Sequence, residues 1–125
     1  MAVLITLTLL ESKSAHPDTV KWVKTHCPDG WEVTEANVRA GMTQGPNTDH
    51  LVCLLLDRDS FDAYKLRKKD AQDLFHAQLI VISHTSETKS QSGRDLLTAR
   101  KEGASEQYRR TLTFIALRAL EGALE

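Results

Sequence analysis

With 125 residues, 41% hydrophobic and 26% charged, the chain has the size and make-up of a single ordinary globular domain spanning residues 1–125, which excludes the disordered and fibrous classes and a second domain. Lys plus Arg number 16 against 17 for Asp plus Glu, so a formal charge of −1 excludes bulk capture of polyanions and confines any nucleic-acid contact to a local patch. Two cysteines, Cys27 and Cys53, are too few for a disulfide framework, and with no leader or spanning segment in view the expected setting is cytoplasmic, with no membrane partner.

Residues 2–10 are almost all leucine and β-branched, which predicts a strand covered on both faces. A polar loop follows. Pro17 then sits at a natural first helical position, with Val20, Val23 and Cys27 at helical spacing, until Pro28, Asp29 and Gly30 stop the helix. Apolar residues alternate over 31–38 and slip by one near Glu35, which predicts a second strand at an edge. Residues 41–49 hold two glycines, a proline and an asparagine and read as a long loop.

The continuous apolar run 51–56 predicts a second buried strand, with Cys53 as a small buried thiol inside it. Ser60 can cap a helix that lines up Phe61, Tyr64, Ala71, Leu74 and Phe75, and residues 78–82 predict another apolar strand. Residues 83–94 contain no apolar side chain and must be exposed. From Leu96 the pattern is helical, broken at Gly103, and a final amphipathic helix starts at Ser105. The expected fold is therefore α/β: a small, open, mostly parallel four-stranded sheet flanked by helices, Rossmann-like or Toprim-like in layout.

In such a sheet, ligands bind beyond the carboxyl ends of the strands, where loops and helix amino termini converge. On this reading Ser12, Lys13, Ser83, Thr85, Ser86, Lys89 and Arg94 line one rim and supply hydroxyl donors and cations for a nucleotide or another phosphorylated ligand. His84, after a strand and among hydroxyls, is the candidate for acid–base work. Glu11 and the pair Asp57 and Asp59, at two strand exits, could share Mg²⁺ and carry catalysis.

The segments Leu10-Glu11-Ser12 and Leu56-Asp57-Arg58-Asp59, with the residues between them, make the stretch from Val3 to Asp59 resemble the Toprim domain of topoisomerases, primases and small nucleases. The resemblance implies Glu11 as general acid or base, with Asp57 and Asp59 holding the metal for phosphodiester chemistry. Ser12 stands where many members carry glycine.

His16, His26, His50, His76 and His84 show no metal-ligand spacing. Four basic residues within 65–69 suit a local phosphate-backbone contact or the solvent face of a helix. Three functional readings follow: a module binding a nucleotide or phosphorylated ligand, a Toprim-like Mg²⁺ enzyme, and a non-catalytic interaction or homodimerisation protein that uses the C-terminal helix, where Phe114, Leu117 and Leu124 widen the apolar stripe.

Overall fold

A computed structural model describes residues 3–124; Met1, Ala2 and Glu125 lie outside the described residues, and with them the first residue of the predicted opening strand. Helix makes up 75% of the chain, and the expected four-stranded parallel sheet of Rossmann-like type does not form. The observed sheet has two strands, β1 (Leu4–Ile5) and β2 (Trp31–Glu32), paired antiparallel with Leu4 opposite Glu32 and Ile5 opposite Trp31. Six helices carry the rest: α1 (Leu7–Ser12), α2 (Pro17–His26), α3 (Glu35–Ala40), α4 (Thr48–Leu55), α5 (Arg58–Thr85) and α6 (Gln91–Leu124).

Each overturned strand fails for a local reason. Thr6 accepts a hydrogen bond from the Leu9 N–H and so caps α1, after which leucines, strong helix formers, turn the supposed strand 2–10 into two strand residues and a helix. Thr34 caps α3 in the same way through the Asn37 N–H, at the place where the strand alternation slips. Asn47 accepts from the His50 N–H and starts α4, so the run 51–56 is mostly helical and Cys53 is exposed rather than buried. The run 78–82 lies within the last third of α5, since neither glycine nor proline interrupts the chain from Arg58 to Thr85. A short apolar run has no periodicity that separates strand from buried helix, and capping side chains decided each case here.

Other expectations hold or shift by a few residues. Helix α2 begins at Pro17 with His16 as its cap. Asp57, rather than Ser60, caps α5, accepting from the Ser60 N–H at 2.7 Å. Gly103 does not break α6, which runs through it.

The fold has a head and an arm. In the head, Ile5, Leu10, Val23, Trp31, Val38, Leu51 and Val52 form one buried cluster with Tyr64 of α5 and with Ala116 and Leu120 of α6. Gly30, at φ 124°, makes the turn into β2, where a side chain would crowd Leu4. The arm is the remainder of α5 and α6, two antiparallel helices joined by residues 86–90. Its rods are long: 28 residues of α5 reach about 42 Å and 34 residues of α6 about 51 Å at 1.5 Å per residue. Phe75 stacks on Tyr108 across the hairpin at 4.6 Å between ring centroids, which sets the register of the two helices.

Leu51 is fully buried at the centre of the head, against residues from both ends of the chain. Leu51→Ala is expected to lower stability by about 2–5 kcal/mol, read as a fall in the urea midpoint with an unchanged slope.

Candidate functional site

The sequence-predicted site residues are spread along the whole molecule. Glu11, Ser12 and Lys13 are exposed at the end of α1. Asp57 and Asp59 are at the start of α5, where Asp57 is occupied as the helix cap and Asp59 stands in the first turn. Ser83, His84 and Thr85 are in the last turn of the same helix, so about 40 Å of rod separates them from Asp57. The shared rim expected from parallel strands therefore does not exist. Among the described residues no group of three His, Cys, Asp or Glu is placed to hold a metal ion.

The hydroxyl-rich segment instead builds the tip of the arm. Thr85 donates to the Val81 carbonyl and Ser86 to the Ile82 carbonyl, ending α5. The Glu87 carboxylate accepts from the Lys89 and Ser90 amides and from Ser90 Oγ; Ser90 Oγ in turn accepts from the Gly93 N–H at the start of α6. The hydrogen bond from Ser90 Oγ, with those from the turn amides, holds the Glu87 carboxyl below the usual range. Arg94 donates to the Thr88 carbonyl and to Gln91 Oε1. These donors and acceptors stitch a tight connection between antiparallel helices.

The basic run is likewise engaged at two positions. Lys65 lies 3.6 Å from Asp62 and over the Phe61 ring; Lys68 binds both oxygens of Asp49 at 2.7 and 2.8 Å. Arg67 and Lys69 are exposed.

Beside its charged residues the arm also exposes large apolar side chains. From residue 65 to residue 103 no residue is buried, and the first that is, Ala104, lies in α6. Leu66, Leu74, Ile80 and Val81 are each 59% exposed, and Leu96 of α6 is 52% exposed. Leu74, Ala77 and Val81 face Gly103 and Ala104 across an open groove of about 520 Å³, with Arg100 and Gln107 beside it. Small residues make the hollow and Leu74 and Val81 stand at its side, so the surface carries both a ridge and a recess.

This stripe was present in the sequence but not recognised as one. Ala63, Leu66, Asp70, Leu74, Ala77, Val81 and His84 recur at spacings of three and four, the seam of a helix that packs against a second partner. A strand at 78–82 would remove its last two positions, Val81 and His84. On α6, of the three residues expected to widen the apolar stripe, Phe114 is exposed, whereas Leu117 and Leu124 pack against the core of the head.

A second polar arrangement lies where arm meets head. Tyr64 Oη donates to Asp49 Oδ1 at 2.6 Å, beside the Lys68 ammonium. Burial works against ionisation of Asp49, but the hydrogen bonds from Lys68 and Tyr64 outweigh it and hold the carboxyl below its usual range. Burial, then the bond to Asp49, pushes the Tyr64 hydroxyl far above the usual phenol range.

No family model matches the chain, and comparison with curated proteins and with solved structures likewise finds no match. No helix among the described residues is long and apolar enough to cross a membrane.

The two shifts bound a pH window. A depressed Asp49 contributes stability that is present above the ordinary carboxylate pKa and lost as pH falls below it. A raised Tyr64 contributes stability that is present below the ordinary phenol pKa, near 10, and is lost as pH rises beyond it. Tyr64→Phe is expected to cost about 1 kcal/mol at neutral pH and to flatten the alkaline limb, as checked by urea unfolding across pH.

Proposed function

We propose that this chain is a non-catalytic association module that pairs with a second copy of itself through the apolar face of the α5–α6 arm, giving an antiparallel four-helix bundle with a head at each end. One observation carries the reading: the 39 residues from 65 to 103 bury none of their side chains fully, although the arm bears four large apolar residues that are more than half exposed on α5 alone. Helices draw most of their stability from packing an apolar face, so two rods without a third layer lack the contact their sequence is patterned for.

A second copy fits this face better than an unrelated partner. The ridge of Leu74 and Val81 lies beside the hollow at Ala77, Gly103 and Ala104, so a two-fold operation lays ridge on hollow twice, as an isologous interface requires. A face about 30 Å long and two helices, about 20 Å, wide offers on the order of 600 Å² per copy, close to the size of specific interfaces. With a formal charge of only −1 per chain, net repulsion between copies is small.

Light scattering over a dilution series is expected to give a mass twice the 14.0 kDa of the chain, falling to the single-chain mass on dilution. Leu74→Asp with Val81→Asp introduces four charges per dimer and is expected to weaken association by about a hundredfold or more, with the fluorescence of Trp22 and Trp31 in the head unchanged. A wild-type protein that stays single-chain at every concentration sinks the proposal, as does a double variant that still pairs.

A further inference from the structure

Resting on the self-association proposed above, we infer that two copies meet in a single antiparallel register centred on Ala77, in which Asp70 of each copy pairs with His84 of the other. The seam residues Asp70, Leu74, Ala77, Val81 and His84 are spaced almost identically from either end. Asp70 and His84 stand seven residues to either side of Ala77, and Leu74 and Val81 stand three and four. Two such seams laid antiparallel about Ala77 bring Leu74 against Val81 and Asp70 against His84, each contact made twice, as a two-fold axis requires.

Helix α6 places the axis at the same level independently. Leu96 and Phe114, 52% and 47% exposed, are large apolar residues that α6 leaves uncovered. With Gly103 and Gln107 between them they follow at intervals of seven, four and seven, which is one face of a helix. Their midpoint is Ser105, next to Ala104, and Gly103, Ala104 and Gln107 line the groove together with Ala77. An axis at this level sets Leu96 of one copy on Phe114 of the other, so both helices call for the same operation.

The two polar members of the seam then fix the register. Asp70 and His84 are exposed, and the ion pairs among the described residues involve other groups. Fourteen residues of helix, about 21 Å, keep the two from meeting within one copy. A parallel pairing of the seam would put Asp70 on Asp70 and His84 on His84. Sliding the antiparallel copies by seven residues would set Asp70 on Ala77 and His84 on Ala63, desolvating each polar group against a methyl, and sliding them the other way carries Asp70 past the end of α5. Of these arrangements only the register about Ala77 gives each carboxylate a hydrogen-bond donor, and a polar group in an otherwise apolar seam specifies register and orientation in paired helices.

The experiment compares dissociation constants, from light scattering of the whole chain over a dilution series at neutral pH, for wild type, His84→Glu, Asp70→Lys and an equal mixture of the two variants. His84→Glu sets carboxylate against carboxylate, and Asp70→Lys sets an ammonium against an imidazole; each is expected to weaken self-pairing about tenfold or more. In the mixture one contact joins the new lysine to the new glutamate and the other is the native pair of Asp70 and His84, so heterodimers of near wild-type affinity are expected. Such recovery cannot come from repair of a misfolded chain, since each copy keeps its own substitution. Variants that pair as tightly as wild type, or a mixture no tighter than the single variants, overturn the register and leave self-association standing. A wild type that stays single-chain at every concentration overturns both.

Discussion

Seating the last turns of α6 in the head is the contact on which the rest of the molecule depends. Thr113, Ala116 and Leu120 are buried there, and Ala116 and Leu120 share the cluster of Val38 on α3 and Leu51 on α4. Because one uninterrupted helix runs from this seat to the tip of the arm, the packing of three side chains sets the direction of a rod about 51 Å long. Helix α5 follows from the other side, anchored by Tyr64 in the same core and held in register by the stack of Phe75 on Tyr108. The Arg39 guanidinium, reaching the Glu106 carboxylate at 2.5 Å, braces α3 against α6 just above the head.

Stability is therefore distributed unevenly. Residues buried in the head come from nearly every element, whereas the distal arm relies on helix propensity, one aromatic stack and a turn tied by Glu87, Ser90 and Arg94. Segments with few buried contacts open locally at lower free energy than the core they are attached to. On the proposed pairing, a second copy would supply the apolar contact that the arm lacks in isolation.

Head and arm meet at a neck. Lys68 and Leu112 belong to the arm helices, while Gly41, Thr48 and Asp49 belong to the head. The Asp49 carboxylate already ties the two parts together through Tyr64 and Lys68. A polar network of this kind stiffens the elements it links.

Much of the molecule was legible in the residues alone. Pro17 marked the start of α2, the polar stretch 83–94 was correctly expected at the surface, and the C-terminal helix was visible from its spacing, though not its start at Gln91. Composition by itself settled that an ordinary globular core could form. Strand against helix in the runs 2–10, 51–56 and 78–82 was not decidable from hydrophobicity, because a short apolar run satisfies both, and the choice fell to Thr6, Asn47 and the unbroken helix around the third run. Which face of α5 stays uncovered and that Tyr64 and Lys68 meet Asp49 depend on contacts between residues far apart in the chain. Local propensity carries no information about those distances; only the docking of α6 into the head decided them.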